Sequence, residues 1–505
     1  MSEVRVRFAP SPTGPLHMGG VRTALYNYLF AKKHGGTFIL RIEDTDQKRF
    51  VPGAEEYINE SLSWCGMEPD ESVSKGGNYG PYRQSERKDK YRQYADELIE
   101  KDKAYYAFDT PEELDEMRER LKKAKVASPQ YNALVRETMK NSLTMGEEEV
   151  KQRISSGDPY VIRFKMPRNE EVRVNDMVRG WVVVNTNQLD DKILFKSDGM
   201  PTYHMANIVD DHLMKITHVI RGEEWLPSAP LHVMLYEAFE WEAPKFAHLP
   251  LLLKPDGNGK LSKRDGDRLG FPVFPLEWND PKSGETNSGY RENGYFSAAF
   301  VNMLAMLGWN PGTPQEIFSM DELIEAFSIE RVGKAGAKFD PDKAKWYNQQ
   351  YLRAKSDEEL ARAIEPISKE MGYSKPLDFL AGVCRLMKER ASFINEIVEN
   401  GLYLFEAPAV YDEKTQRKKW KENTPERMKK LREKFAPLDF KSDILETAFK
   451  DFLQEEELGM GAVLPNLRLL ITGKGMGPGM FDIMELLGKE ESLKRMDNGI
   501  ERLSQ

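Results

Sequence analysis

The chain has 505 residues, of which 40% are hydrophobic and 31% charged, and its formal net charge is −9. Its length predicts several folding units, and it contains no apolar run of the roughly 18 residues that a membrane-spanning helix needs. Two cysteines, Cys65 and Cys384, are too few for a disulfide framework or a structural zinc site. The first residues enter a strand pattern without the apolar stretch of a secretory signal. We therefore expect a cytoplasmic protein.

The first 46 residues read as strand, loop, helix, strand and acidic cluster. Residues 4–8 are strand-like, and helical apolar spacing begins at Val21 and ends near Gly35. Between them, the amides of residues 10–20 lie at a helix N-terminus, where anionic phosphate is favoured. A buried strand at 38–42 then leads to the acids of 43–46, at the edge where parallel sheets bind ligands. These acids also fit a helix cap or a divalent-metal site.

The pattern changes between residues 83 and 196. This stretch alternates charged helices with short strands, such as 161–164 and 181–184, and lacks glycine-rich turns. We interpret it as an insertion between two halves of one sheet.

An α/β pattern resumes at residues 193–195. Tyr203 and Asn207 are four residues apart and therefore share one face of a predicted helix. A strand at 216–220 ends at Arg221-Gly222-Glu223-Glu224-Trp225, and a helix begins near Pro227. These polar residues again fall at the end of a strand.

Residues 249–253 predict the next buried strand, and the turn at 255–259 carries Lys260-Leu261-Ser262-Lys263-Arg264 on a flexible loop. The mobile positive charge of this loop complements the loop at 10–20. Together the two segments predict a site that binds a nucleoside triphosphate from two sides.

From about Phe318 onward the chain reads as helices, for example at 377–398. Residues 413–434 contain ten Lys or Arg residues and four acids. Such a segment tracks nucleic-acid phosphates or forms a solvated helix face, and charge alone leaves both interpretations open.

Several motifs in this order resemble the bacterial-type glutamyl-tRNA synthetase family. They are residues 7–14, His17-x-Gly19, 41–46, 203–207, 221–225 and 260–264. Residues 477–483 and 486–490 also resemble the helical anticodon-binding region of that family. The resemblance implies an α/β fold: a Rossmann-type class I catalytic domain with an inserted acceptor-end domain, followed by an all-α anticodon-binding region. The domain boundaries predicted on this basis are 1–82 and 197–254 for the two catalytic halves, 83–196 for the insertion, 255–350 for the stem-contact region with the lysine loop, and 351–505 for the anticodon-binding region.

The resemblance implies that glutamate attacks the α-phosphorus of ATP to form glutamyl-adenylate, and that the ester then forms on the terminal adenosine of tRNA(Glu). Magnesium is expected with the nucleotide. Four residues are implied as catalytic: His17, Gly19, Lys260 and Lys263. The implied ATP-binding residues are Pro10, His17, Gly19, Gly20, Glu224, Trp225, Leu253, Lys260, Ser262 and Lys263.

Glutamate needs an acidic partner for its ammonium group and arginines for its two carboxylates. Glu43 suits the ammonium, and Arg7 and Arg221 suit the carboxylates, although the sequence does not decide which arginine binds which carboxylate. The full set implied for glutamate is Arg7, Ala9, Ser11, Glu43, Tyr203, Asn207 and Arg221. Arg390 matches a position that contacts the anticodon, and the family suggests a monomer.

The chain also departs from the family pattern. Gly20 stands where the family's HIGH signature ends in a second histidine, and residues 83–196 contain no cysteine, so we predict no zinc. Residues 266–289 look like an insertion that forms a flap over the lysine loop or contacts tRNA. The alternatives are a glutaminyl-tRNA synthetase, whose anticodon region resembles β-barrels, a truncated relative that glutamylates a modified base, and a catalytically silent tRNA-binding paralogue.

Overall fold

The computed structural model describes residues 3–46, 48–126 and 129–504. The chain forms two compact units. The first runs up to Asn293 and includes Phe300–Pro341, and the second includes Gly294–Ala299 and the residues from Asp342 onward. None of the helices in the described residues is long and apolar enough to span a membrane.

All thirteen strands of the described residues belong to the first unit. They are β1 Arg5–Phe8, β2 Thr37–Leu40, β3 Ala104–Ala107, β4 Val161–Phe164, β5 Glu171–Asp176, β6 Gly180–Asn185, β7 Ile193–Phe195, β8 His218–Gly222, β9 Lys245–Leu249, β10 Leu252–Leu253, β11 Trp278–Asn279, β12 Thr286–Asn287 and β13 Ala337–Lys338.

The central strands are parallel, as the sequence predicted. β1 pairs with β2, and β8 pairs with β9 in a register that places Arg221 opposite His248. Thr217, just before β8, donates its backbone N–H to the carbonyl oxygen of Arg5 at 2.9 Å, which brings β8 beside β1. The carboxyl ends of β1, β2 and β8 therefore meet at one edge.

The structure corrects the prediction for strands near the insertion. β7, where the α/β pattern was expected to resume, pairs antiparallel with β4 in a separate sheet of order β3-β4-β7. β5 and β6, predicted to be part of the insertion, instead join a sheet of order β6-β5-β9-β8. Both misreadings arise because apolar periodicity identifies a strand but not its partner.

The single strand predicted at 249–253 is also wrong. The structure has two strands, β9 and β10, separated by Pro250 and Leu251. Proline has no N–H to donate and ends the ladder of β9, while β10 pairs in parallel with β13.

The helices of the first unit pack against its sheets. They are α1 Met18–Lys33, α2 Ala54–Trp64, α3 Lys88–Glu100, α4 Pro111–Lys123, α5 Glu147–Ser155, α6 Tyr203–Leu213, α7 Ala229–Phe239, α8 Lys263–Leu269, α9 Ser297–Met306, which extends from the second unit, and α10 Met320–Ala326. α1 buries Val21, Leu25 and Leu29 at the helical spacing that predicted it.

The second unit contains helices and no strands in the part that the structure describes. They are α11 Pro341–Ala354, α12 Asp357–Glu370, α13 Leu377–Met387, α14 Ile394–Glu399, α15 Leu402–Phe405, α16 Glu413–Lys419, α17 Thr424–Phe435, α18 Ser442–Glu455, α19 Met460–Thr472 and α20 Met480–Leu503. They enclose one apolar core that includes Leu380, Leu431 and Ile483.

The helix predicted at 377–398 is two helices. α13 ends at Met387, and α14 begins at Ile394, where the Glu396 carboxylate accepts the backbone N–H of Ser392 at 2.6 Å. This carboxylate satisfies a donor at a new helix start, which favours a break over a continuous helix.

Candidate active site

His17 lies at the N-cap of α1, and its Nδ1 accepts a hydrogen bond from Gly19 N at 3.2 Å. Burial, together with the charge of Lys260, lowers the pKa of His17 to about 4. The ring is therefore neutral near pH 7, with its proton on Nε2. That atom is buried and has no partner among the described residues. A phosphate oxygen would satisfy this donor at the positive end of the helix.

A cavity of about 310 Å³ opens beside His17. It is formed by the start of α1, the end of β8 and the chain from Pro250 to Leu261. The residues that line it are His17, Gly19, Gly20, Arg22, Thr23, Gly222, Glu224, Pro250, Leu251, Leu252, Lys260 and Leu261. The loop at 10–20 and the start of the lysine segment thus share one cleft.

Lys260 is placed by backbone pairing. Leu261 N donates to Leu252 O at 2.8 Å, and Lys260 forms an isolated bridge with Leu253. The Nζ atom of Lys260 lies 3.6 Å from Glu224 Oε1, and both side chains are about half exposed. Because an exposed pair of this kind is weak, the ammonium can exchange its carboxylate for a phosphate.

The flexible loop expected for Lys263 and Arg264 is a helix start in the structure. Ser262 caps α8, and its hydroxyl donates to Asp265 Oδ2 at 2.6 Å. The Nζ atom of Lys263 lies 3.0 Å from Glu285 Oε2. Of the described residues around the cleft beside His17, Lys260 and Leu261 line it, whereas Ser262 and Lys263 do not.

Residues 266–289, whose role the sequence left open, pack beside the start of α1. Val273 O accepts the backbone N–H of Met18 at 2.8 Å, and the Phe274 ring stands edge-on to His17 with centroids 6.1 Å apart. β11 and β12 form a short hairpin within this stretch, and Glu285 precedes β12. The stretch therefore contacts the start of α1. Through Glu285 it also contacts Lys263, at the start of α8.

A second cavity, of about 240 Å³, opens at the carboxyl ends of β1 and β8. All seven residues that the sequence assigned to glutamate line it: Arg7, Ala9, Ser11, Glu43, Tyr203, Asn207 and Arg221. Pro10 and Trp225, which the sequence assigned to ATP, line it as well. The Trp225 ring stacks on Tyr203 with centroids 4.1 Å apart.

The two cavities adjoin. Gly20, Thr23, Gly222 and Glu224 line both of them. A ligand in one cavity would therefore lie next to a ligand in the other.

Arg7 and Glu43 belong to a buried charge network that the sequence did not reveal. Arg7 Nε and Arg41 Nη1 both donate to Asp211 Oδ1, at 3.0 and 2.7 Å, and Arg41 Nη2 donates to Glu43 Oε1 at 2.9 Å. Asn207 Nδ2 donates to the same oxygen of Glu43 at 3.3 Å. Burial by itself would raise the pKa of Asp211, but Arg7 and Arg41 lower it below its ordinary value.

Arg221 has a different set of partners, all of them uncharged. Its Nη1 donates to the hydroxyl oxygen of Tyr203 at 3.1 Å, and its Nε and Nη2 face ring nitrogens of His248 and His232 at 3.1 and 3.2 Å. Burial lowers the pKa of His232 well below its ordinary value. The guanidinium charge therefore remains uncompensated by its bonded neighbours and faces the cavity.

The sequence placed Arg41 in a family motif without giving it a role, and it did not identify Asp211, His232 or His248. Asp211 follows Asn207 by four residues on α6 and so shares its face, a spacing that could have identified it. The two histidines stand in no motif, and nothing in the sequence places them beside Arg221.

At Gly20, where the family signature has histidine, a side chain would have to displace the end of the Leu16 side chain. A Cβ atom built there would lie 2.6 Å from Leu16 Cδ1, whereas at Gly19 the nearest atom would be 3.7 Å away, at ordinary contact distance. The departure from the family pattern thus has a steric counterpart in Leu16, which also lines the second cavity.

We expect Gly20→Ala to lower the free energy of unfolding by about 1 kcal/mol relative to Gly19→Ala, because the buried Leu16 side chain must shift to admit the new methyl group. Both substitutions gain the same helix propensity, so that gain cancels in the comparison. Urea denaturation of the two variants measures the difference, and equal stabilities would show that Leu16 yields without strain.

Arg390 lies in the second unit, on the 3₁₀ turn after α13. Its side chain is exposed, and Nη2 donates to Gly477 O at 3.2 Å. Arg468 Nη2 donates to the neighbouring Pro478 O at 2.8 Å. Two guanidiniums therefore flank the loop whose sequence resembles the anticodon-binding region.

The basic segment at 413–434 is partly neutralised. Lys430, Arg432 and Lys434 pair with Glu456, Asp497 and Glu455, respectively. These pairs favour a solvated helix face for α17 over a continuous phosphate track.

Comparisons with known proteins identify the family of this chain. Residues 3–346 match the family model described as tRNA synthetases class I (E and Q), catalytic domain, and residues 350–500 match an anticodon-binding domain. The glutamate–tRNA ligase of Phocaeicola vulgatus is 58% identical over 509 residues, covering 100% of both sequences. That of Cytophaga hutchinsonii is 56% identical and covers 100% of this chain and 98% of the relative.

Solved structures show the same likeness. The crystal structure of a glutamate tRNA ligase from Elizabethkingia meningosepticum, in complex with its amino acid, matches with a TM-score of 0.95 and 54% identity, covering 99% of this chain and 100% of the other. The glutamate-tRNA synthetase of Elizabethkingia anophelis matches with a TM-score of 0.93, also at 54% identity and with the same coverage. The chain belongs to the glutamate–tRNA ligase family of class I aminoacyl-tRNA synthetases.

Proposed function

We propose that the chain joins L-glutamate to tRNA(Glu) in two steps at the adjoining cavities. An oxygen of the glutamate α-carboxylate attacks the α-phosphorus of ATP, and pyrophosphate leaves. A ribose hydroxyl of the terminal adenosine then attacks the acyl carbon, loses its proton and displaces AMP. The observation that carries this proposal is that residues suited to phosphate and residues suited to glutamate line two cavities that share four residues.

The cavity beside His17 is proposed to hold ATP. The buried Nε2–H of His17 and the α1 N-terminus suit phosphate oxygens, and Lys260 would stabilise the charge that develops on pyrophosphate. Gly19 leaves room for the nucleotide. This is catalysis by positioning and electrostatic stabilisation, and it requires no protein nucleophile.

Ser262 and Lys263 are proposed to reach the nucleotide only after Lys263 leaves Glu285. The pair is exposed, 39% for the Lys263 side chain and 66% for that of Glu285, so breaking it costs little. Phosphate oxygens carry more negative charge than one carboxylate and would compete for the ammonium.

The second cavity is proposed to hold glutamate. Glu43, held by Asn207, would accept the substrate ammonium, and Arg7 and Arg221 would bind the carboxylates. Burial raises the pKa of Glu43, and Arg41 offsets part of that rise. The positive charge of a bound ammonium would further favour the carboxylate form of Glu43.

Magnesium is proposed to enter with ATP as part of the substrate. The described residues contain no group of three or more His, Cys, Asp or Glu side chains arranged to hold a metal. Phosphate oxygens and water would then supply its ligands. No zinc, a monomeric state and a cytoplasmic location remain predictions from the sequence and the family.

The stretch 83–196 is proposed to handle the tRNA acceptor end, residues 255–350 the stem, and residues 351–505 the anticodon, as the family resemblance implies. The match of residues 350–500 to an anticodon-binding domain supports the last of these assignments.

Arg390→Ala is expected to raise the KM for tRNA(Glu) about tenfold or more, because one charged hydrogen bond to the anticodon would be lost. Aminoacylation kinetics at saturating glutamate and ATP measure this value. The control is Arg385→Ala, which removes another exposed arginine five residues away. Equal KM values for the two variants would remove Arg390 from the tRNA contact.

Exchange of labelled pyrophosphate into ATP tests the proposed function as a whole. The exchange is measured with glutamate and with glutamine, each in the presence and in the absence of tRNA(Glu). We expect far more exchange with glutamate than with glutamine. Exchange with glutamine alone would favour a glutaminyl-tRNA synthetase. No exchange under any condition would favour a catalytically silent tRNA-binding paralogue.

A further inference from the structure

Arg221 stands in the middle of a buried chain of five side chains. Asp176 Oδ2 lies 2.6 Å from His248 Nδ1, and His248 Nε2 lies 3.1 Å from Arg221 Nε. On the other side, Arg221 Nη2 lies 3.2 Å from His232 Nδ1, and His232 Nε2 lies 3.1 Å from His204 Nδ1. Every link is within hydrogen-bond distance.

The direction of each bond follows from Arg221, because a guanidinium donates but cannot accept. The ring nitrogens that face it, His248 Nε2 and His232 Nδ1, must therefore be acceptors. His248 then carries its proton on Nδ1 and donates to Asp176, and His232 carries its proton on Nε2 and donates to His204. Each of these tautomers is set by its neighbours.

The histidines stay neutral near pH 7. Burial lowers the pKa of His248 despite its bond to Asp176, and it lowers the pKa of His204 to about 4. A second proton on His248 would also place an N–H against the Nε–H of Arg221. The five hydrogen-bonded side chains therefore have one arrangement of protons that satisfies all of them.

In this arrangement Arg221 and Tyr203 both present hydrogen-bond donors to the second cavity. The Tyr203 hydroxyl already accepts a bond from Arg221 Nη1, so its own proton is available to a ligand. Arg221 retains further N–H groups on Nη1 and Nη2. A carboxylate, which only accepts, suits this wall, whereas the NH₂ of an amide would meet other donors.

The charge balance assigns this wall to the side-chain carboxylate of glutamate. Arg7 is already neutralised by Asp211, whereas the bonded partners of Arg221 are uncharged. The α-carboxylate loses its charge when the adenylate forms, but the side-chain carboxylate keeps its charge through both steps. Arg221, whose charge has no charged partner among its bonded neighbours, therefore suits the side-chain carboxylate, which stays ionised throughout the reaction.

Asp176 is anchored so that one oxygen always faces His248. It ends β5, its side chain is fully buried, and Oδ1 accepts the backbone N–H groups of Val178 and Arg179 at 2.9 and 2.8 Å. Oδ2 faces His248 Nδ1 and also accepts the backbone N–H of His248 at 3.1 Å. β5 comes from the stretch that the sequence placed in the inserted domain.

We propose that Asp176 is a positioning residue for glutamate selection: it fixes the tautomer of His248, whose Nε2 then accepts from Arg221 Nε and holds the guanidinium in place for the substrate's side-chain carboxylate. This inference rests on the proposed function of the second cavity. It gives a residue outside both cavities a role in distinguishing glutamate from glutamine.

The substitution Asp176→Asn tests the proposal with little change in shape. The asparagine oxygen should stay with the backbone N–H groups of Val178 and Arg179, which places its NH₂ against His248 Nδ1. The same NH₂ also meets the backbone N–H of His248, so the variant carries a structural cost that the control below must match. His248 would then accept there and carry its proton on Nε2, facing Arg221 Nε–H. We expect the kcat/KM for glutamate to fall about 10- to 100-fold, mainly through KM, and the preference for glutamate over glutamine to fall with it. The KM for ATP should stay within about twofold.

The matched control is Asp191→Asn, another buried carboxylate of the same stretch, whose partners are Tyr105 and Arg136. It imposes the same chemical change and a structural cost, but it does not touch the Arg221 chain. We expect its KM for glutamate and its amino-acid preference to match those of the unmodified protein. Equal effects of the two variants on KM would overturn the proposal.

¹⁵N NMR of the histidine rings in the unmodified protein provides a readout that does not depend on the folding of the Asp176→Asn variant. In the unmodified protein, the His248 resonances, assigned by comparison with His248→Gln, should show a proton on Nδ1 and none on Nε2. A proton on Nε2 would overturn the proposal even if pyrophosphate exchange is normal. Absence of glutamate-dependent exchange in the unmodified protein would instead overturn the proposed function, whatever the tautomer.

Discussion

Replacing Lys260 by alanine is expected to slow glutamyl-adenylate formation by about 10²–10³-fold, the usual cost of removing one electrostatic contact to a transition state. Lys260 lines the cavity beside His17, and its ammonium group contacts Glu224 in an exposed pair. Its charge would act mainly as pyrophosphate leaves, so the KM for glutamate should change little. Single-turnover formation of the adenylate, measured by rapid quench, gives the rate directly.

Two further variants make this test specific. Lys263→Ala should also slow the adenylate step far more than it weakens glutamate binding, because the sequence assigns Lys263 to the same pyrophosphate. Lys282→Ala removes an exposed lysine of the neighbouring hairpin region and should leave the rate unchanged. An unaltered single-turnover rate in Lys260→Ala would contradict the assignment of this cavity to ATP phosphates.

The substitution Asp211→Asn is expected to lower the free energy of unfolding by about 3–5 kcal/mol, because it removes one charge from a buried network and leaves its partners uncompensated. The Asp211 side chain is 1% exposed, and those of Arg7 and Arg41 are 3% and 0% exposed. Arg7 and Arg41 would then lose the carboxylate that they share. Urea denaturation followed by circular dichroism measures the loss.

The control for this experiment is Asp46→Asn, which makes the same change in an exposed pair with Arg49. Exposed pairs contribute about 0–1 kcal/mol, so this variant should remain close to the unmodified protein. If Asp211→Asn costs no more than Asp46→Asn, the network does not hold Arg7 in place by charge.

The parts of the site that sequence predicted well are those within one element. Tyr203 and Asn207 were placed on one helix face by their spacing, and the structure has them on α6, lining one cavity. The amides after Phe8 were placed at a helix start, and α1 begins at Met18. Local periodicity and capping carry this information because both depend on residues close in the chain.

Contacts between distant segments could not be predicted in the same way. Asp176 and His248 are 72 residues apart and meet only because β5 pairs with β9. Strand patterns do not specify their partners, so neither the sheet position of β5 nor its link to Arg221 was visible in the sequence. Asp211 was missed for a related reason, since its role depends on two arginines from β1 and the end of β2.

The start of α8 is a different case, because its signal was present in the sequence. Ser262 and Asp265 have the spacing of a helix cap, and in the structure they bond to each other at the first turn. The glycine-rich turn before them favoured the interpretation of a flexible loop. The cap shows that Lys263 begins a helix, whereas Lys260 remains in the segment that pairs with Leu253.

The most direct test of the account is a crystal structure with a non-hydrolysable analogue of glutamyl-adenylate. We predict that its phosphate lies within hydrogen-bond distance of His17 Nε2 and Lys260 Nζ, and that its side-chain carboxylate accepts bonds from Arg221 and Tyr203. An analogue bound away from these two cavities, or bound with its phosphate beside Arg221, would contradict the account.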